Sequence, residues 1–140
     1  MTRQHTPDQR QLMASMEAHG AWPGRSPWIR AAVRALDRGV FAPGRLWRWD
    51  GEAYVPVDRA VDEQGWAVEV YGDIYAAAIT QVHEGLPSSS LSCTAVVVDM
   101  LDSLLLDEGH RVLELGTGTG WNAALLARRS RLGPVECRGR

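Results

Sequence analysis

Arg111-Val112-Leu113-Glu114-Leu115-Gly116-Thr117-Gly118-Thr119-Gly120-Trp121-Asn122 is the stretch that decides the fold. Its first residues form a short apolar run that reads as a buried strand. Three glycines at alternate positions follow, and from Trp121 onward the pattern opens a helix. Strand, tight glycine turn and helix together are the grammar of a nucleotide-cofactor site at the carboxyl end of a parallel strand. Glycine suits the turn because it accepts positive φ and, lacking Cβ, lets a ligand lie against the backbone.

Spacing and charge narrow the ligand. A dinucleotide fingerprint, G-x-G-x-x-G, would need glycine at 121, where Trp121 stands. A Walker loop needs lysine, and all 15 basic residues of this chain are arginine. The same absence removes Schiff-base and lysine general-base chemistry. Glu114, at the mouth of the loop, would repel a pyrophosphate but suits a cofactor carrying an ammonium and a sulfonium group. S-adenosylmethionine is such a cofactor; a glycine-rich turn holding no ligand is the alternative.

Upstream of the strand, Thr94 to Leu106 reads as one long helix with Val97, Val98, Leu101, Leu104 and Leu105 on its buried side. Gly85-Leu86-Pro87-Ser88-Ser89-Ser90 before it reads as irregular backbone, Ala76 to Val82 as a short apolar run, and Trp66 to Tyr71 as an alternating strand. Leu46 to Trp49 and Tyr54 to Val57 flank Asp50-Gly51 as hairpin arms, with Pro56 confining its arm to a sheet edge. Trp47 and Trp49 read as cover for a core, or as a stacking platform for a ligand. At the start, Thr6 as N-cap, Pro7, and Gln9 as capping-box partner open a helix to about Ala18, with Leu12, Met13 and Met16 inward and Gly20 as the stop. Ser26-Pro27 opens a second helix, with Ile29, Ala32, Val33 and Leu36 on one face and Gly39 closing it.

Composition bounds the rest. With 140 residues, 45% hydrophobic and 23% charged, the chain suits one modest core. A net charge of −2 provides no general basic field for nucleic acid or an anionic membrane. No apolar run approaches the ~18 residues of a membrane span, and the polar opening lacks a signal-peptide apolar region, so a cytoplasmic protein is expected. Cys93 and Cys137 read as reduced thiols. No metal site is expected: His83-Glu84 is followed by Pro87 where a second histidine would be needed, and His5, His19 and His110 are scattered.

Val112 to Ala127, VLELGTGTGWNAALLA, resembles the first cofactor motif of protein-L-isoaspartate O-methyltransferases. Leu91-Ser92-Cys93-Thr94 sits where that family has an I-S-Q-P-like segment, Val40-Phe41-Ala42-Pro43 resembles its R-x-x-F-V-P segment, and Tyr71-Gly72-Asp73 its Y-x-D segment. The resemblance spans about residues 28 to 127, and the N-terminal elements look most like actinobacterial members. Asp37, in place of the family's usual proline, and Cys93-Thr94, in place of glutamine and proline, depart from the pattern.

The resemblance implies an α/β fold: N-terminal helices and a β-hairpin over 1–87, then over 88–140 the start of a Rossmann-like class I methyltransferase domain binding S-adenosylmethionine. It implies methyl transfer to the carboxylate of an isoaspartyl, or aspartyl, residue in a protein or peptide substrate. Ser92 matches the family's active-site serine, though capping the helix at Thr94 is its other available role. Glu114, Gly116, Thr117, Gly118 and Gly120 would form the cofactor loop. The 30 residues from Arg111 are about one βαβ unit. After Gly120 only one helix is expected to fit, leaving no room for later strands or for the acid that holds the cofactor ribose; Glu136 is disfavoured because no apolar strand precedes it. A truncated enzyme, weak or inactive alone, is therefore expected, with a non-catalytic remnant or partner-binding module as the alternative. The tail from Arg128, five arginines against one glutamate, reads as solvated.

Overall fold

The computed structural model describes residues 6–130 in full and the backbone of 135–138. His5 and most of the arginine-rich tail, and the side chain of Cys137, lie outside the described residues.

Helix α1 (Gln9–Ala18) is capped by Asp8, whose carboxylate accepts from the Gln11 amide at 3.0 Å. The expected cap, Thr6, lies two residues earlier; a carboxylate makes the stronger, charge-assisted cap. Gln9 is consequently not a capping-box partner. Its amide donates to the Val33 carbonyl at 2.8 Å and accepts from the Arg38 amide at 3.2 Å. Helix α2 (Pro27–Ala35) ends earlier than expected, with Leu36 at its C-cap. A separate turn, α3 (Arg38–Phe41), then starts with Asp37 accepting from the Gly39 amide at 2.8 Å. Gly39 therefore lies inside α3 and does not close α2.

Strands β1 (Arg45–Trp49) and β2 (Tyr54–Asp58) form the expected hairpin, with Asp50 accepting from the Glu52 and Ala53 amides. Leu46 and its partner Val57 are buried. Successive strand residues face opposite sides, so Trp47 and Trp49 lie away from that core; Trp49 packs on Tyr54 with ring centroids 5.2 Å apart. Pro56 sits on the edge strand of a four-stranded sheet ordered β2-β1-β3-β4, where β3 is Ala78–His83 and β4 is Leu86–Leu91.

Two segments correct the sequence reading. Glu63–Tyr71 is a helix, α4, and not a strand. Asp62 caps it by accepting from the Gly65 amide at 2.8 Å, and Trp66, Ala67, Val70 and Tyr71 are buried while Val68 is exposed. That is a helical stripe, which a period of two would not produce. The serine run is likewise ordered. Strand β3 (Ala78–His83) pairs with β4 (Leu86–Leu91) through a two-residue turn at Glu84 and Gly85, both at positive φ.

Helix α5 (Thr94–Ser103) stops short of Leu106 because the chain reverses at Leu105, φ +49°. Leu104 and Leu105 are exposed in consequence, and Leu106 turns back onto the core. Strand β5 (Val112–Leu115), helix α6 (Trp121–Arg129) and strand β6 (Val135–Arg138) then make a parallel β-α-β unit, with Leu113 opposite Glu136 and Glu114 opposite Cys137. A strand does therefore follow the helix and contains Glu136, contrary to expectation; four residues suffice for it.

One cluster of buried side chains runs through the molecule, from Leu12, Ile29 and Val33 through Leu46 and Val70 to Val98, Trp121 and Leu125. The division expected at residue 87 falls inside β4, and this cluster spans it. Among the described residues no helix is long and apolar enough to cross a membrane.

Candidate active site

The site is built at the carboxyl end of β5. Gly116, Gly118 and Gly120 have φ of +73°, +56° and +86°, where a side chain would be strained. A Cβ at Gly116 or Gly120 would meet nothing within 4 Å, and one at Gly118 only the Gly116 carbonyl at 3.9 Å. The glycines are thus set by backbone conformation, and the space they leave opens into a cavity that a ligand can occupy.

Glu114 projects from β5 half-buried, and its Oε1 accepts from Asn122 Nδ2 at 2.7 Å. That bond joins the strand end to the first turn of α6. Asn122 Oδ1 and Thr117 Oγ1 are both buried without a hydrogen-bond partner. A carboxylate, two unmet polar atoms and an open backbone cradle make a donor and acceptor set that fits a small cationic cofactor.

Two cavities adjoin at the loop. One, of about 370 Å³, is lined by Ser92, Glu114, Gly116, Thr117, Gly118 and Asn122 among others. The other, of about 750 Å³, is lined by Phe41, Pro43, Gln81, Ser88 and Ser89. Gly116 to Thr119 line both. Five of the six expected site residues thus share one cavity; Gly120 stands behind them at the N-cap of α6. Among the serines before the helix, Ser90 and Ser92 face the first cavity, and Ser88 and Ser89 the second.

Ser92 is exposed, and its hydroxyl takes no hydrogen bond among the described residues. Cys93, not Ser92, is the N-cap residue of α5, and its side chain makes no cap bond either. The competing capping role of Ser92 is therefore absent. The two departures near this site have local roles: Asp37 caps α3 and accepts from the Tyr71 hydroxyl at 2.6 Å, and Thr94 is buried at the start of α5. Burial, and then donation to Asp37, push the Tyr71 phenol above its ordinary pKa.

Sequence reading missed two residues. Asn122 lies in the glycine motif, but nothing in its spacing marks the bond to Glu114. Arg38 is 1% exposed and donates to three carbonyls: Val70 at 2.9 Å, Ser92 at 2.6 Å and Leu91 at 3.1 Å. Its guanidinium lies over the Trp121 ring, 5.1 Å from the centroid. Burial pulls its pKa down to about 10, which leaves it charged at neutral pH. The one sequence signal for Arg38 was its position opening the segment that resembles R-x-x-F-V-P.

A parallel β-α-β unit with its glycine turn open to a cavity places the molecule among Rossmann-like cofactor-binding folds. Within that class, residues 8–133 match the family model of protein-L-isoaspartate(D-aspartate) O-methyltransferase, and the chain belongs to that family. A protein-L-isoaspartate O-methyltransferase of Thermococcus onnurineus is 47% identical over 49 residues, 33% of this chain and 22% of that one. Protein-L-isoaspartate O-methyltransferase 2 of Rhodopseudomonas palustris is 51% identical over 39 residues, 28% of this chain and 18% of that one. Among solved structures, a protein-L-isoaspartate O-methyltransferase from Plasmodium falciparum in complex with S-adenosyl-L-homocysteine superposes with a TM-score of 0.60 at 14% identity, over 95% of this chain and 49% of that one. The chain thus spans about half the length of that structure.

Proposed function

We propose that this chain contributes the cofactor loop and active-site serine of an S-adenosylmethionine-dependent protein carboxyl O-methyltransferase acting on an isoaspartyl, or aspartyl, residue of a peptide. The observation that carries the reading is that Ser92, Glu114 and the glycine loop line one cavity, with a second, larger cleft on the other side of the loop. Residues 88–140 would begin the cofactor-binding unit, leaning on 1–87 through the common core.

S-adenosylmethionine, when bound, supplies an electrophilic methyl group on a sulfonium. Glu114, oriented by Asn122, would hold the ammonium end by charge. Gly116, Thr117, Gly118 and Gly120 would let the backbone approach closely. The cleft lined by Phe41, Pro43, Gln81, Ser88 and Ser89 would take the peptide, and the free Ser92 hydroxyl would donate to the acceptor carboxylate. A carboxylate with a pKa near 4 is already ionised at neutral pH, so no strong general base is required. Alignment supplies the rate, on the order of several kcal/mol.

Titration calorimetry with S-adenosylhomocysteine on this chain and on Glu114→Ala and Gly118→Val, beside methyl transfer from labelled cofactor to an isoaspartyl peptide, tests the reading. Binding weakened about tenfold or more by each substitution supports it. Affinity unchanged in both variants, or no binding at all, overturns it in favour of a non-catalytic, partner-binding module.

A further inference from the structure

Arg38 is a buried cation with no ion-pair partner among the described residues, compensated by three carbonyls and an aromatic face. Burying a cation is costly unless hydrogen bonds compensate it, and here that compensation comes from the backbone groups it holds in place. The carbonyls of Leu91 and Ser92 belong to the two peptide planes that flank the Ser92 Cα. Fixing both planes fixes φ and ψ at Ser92, and with them the direction in which its side chain leaves the backbone. The other side of the guanidinium rests on Trp121, which directly follows the last glycine of the loop and is itself tied to the Leu36 carbonyl by its Nε1 at 3.1 Å.

We propose that Arg38 is a positioning residue that locks Ser92 to the glycine loop, so that occupation of the loop is transmitted to that serine. The proposal rests on the methyltransferase reading for its purpose, but not for its geometry. The planar guanidinium spreads its donors over three carbonyls while its central carbon sits 5.1 Å from the centroid of an indole, whereas an ammonium on a flexible stem cannot do both. Arg38→Lys keeps the charge and loses the arrangement.

Hydrogen exchange on the wild-type chain, Arg38→Lys and Arg38→Ala, with and without S-adenosylhomocysteine, tests it. In the wild type, the added compound should slow exchange at 116–122 and also at 90–94. In Arg38→Lys, protection at 116–122 should persist and that at 90–94 should be lost, with ligand-free exchange at 90–94 faster by about tenfold. Affinity for the compound should stay within about threefold of wild type, a small effect on this scale. Methylguanidinium added to Arg38→Ala should restore slow exchange at 90–94. Exchange at 90–94 unchanged by Arg38→Lys overturns the proposal. Acceleration spread evenly over the chain, or failure of methylguanidinium to restore slow exchange, also overturns it, because Arg38 is then only a structural support. If the compound protects nothing in the wild type, the methyltransferase reading fails alone; the ligand-free comparison still decides whether Arg38 holds Ser92.

Discussion

At the residue scale the site divides into groups recognisable by chemistry and groups recognisable only by contact. Glu114 and the glycines are recognisable because a carboxylate at the mouth of a glycine turn disfavours a pyrophosphate and suits a cationic group. Ser92 stood out through the segment around it. Because its hydroxyl neither caps α5 nor bonds elsewhere among the described residues, Ser92→Ala should leave the melting temperature and cofactor affinity unchanged. Methyl transfer should fall about ten- to a hundredfold, the value of a hydrogen bond to a charged group. Steady-state assays beside calorimetry separate the two effects. Asn122→Ala should weaken cofactor binding by about 1–2 kcal/mol, since Glu114 loses the amide that orients it. An affinity equal to wild type would remove Asn122 from the site. Arg38 and Asn122 were not legible as site residues: Arg38 lies 54 positions from Ser92, and nothing local announces that contact.

At the scale of elements, the joint between α3 and α4 is the sharpest test of packing. A Cβ on Gly39 would overlap the Tyr71 hydroxyl, which is bonded to Asp37. Gly39→Ala should therefore break that bond and destabilise the chain by about 1–3 kcal/mol, read from denaturant melts. No loss would mean that Tyr71 swings away freely. The sequence pattern marks Gly39 as a helix stop, yet it is needed for close approach. The same tension runs through the other elements. Trp66-Ala67-Val68-Glu69-Val70-Tyr71 alternates large apolar residues as a strand does, and only the cap at Asp62 and the burial of Ala67 with Tyr71 reveal a helix. Ser88-Ser89-Ser90 carries no strand pattern; its register comes from pairing with β3. By contrast, α1, α2, the first hairpin and the β5-α6 turn were legible, because their periodicity and turn residues agree with their environments.

For the whole molecule, the link between the N-terminal helices and the cofactor-side helices is both apolar and ionic. Leu125 is fully buried in the common core, and Leu125→Ala should lower stability by about 2–5 kcal/mol. Asp102 of α5 meets Arg25, just before α2, at 2.6 Å. The Ser26 hydroxyl, and after it Arg25, hold its carboxyl below the usual range. A depressed folded-state pKa means stability that is present above the unfolded value, near 4, and is lost as pH falls through the folded value. Asp102→Asn should thus melt below wild type at pH 7, and the gap should close as pH falls through the depressed folded-state value. A gap that stays constant with pH would show that the pair contributes nothing through its charge.

The indole of Trp121 reaches back 85 positions to the Leu36 carbonyl and carries the Arg38 guanidinium over its ring. A change at Leu36 or Arg38 is therefore felt first at the start of a helix that the chain reaches only some 85 residues later, so the N-terminal segment sets the footing of the glycine turn.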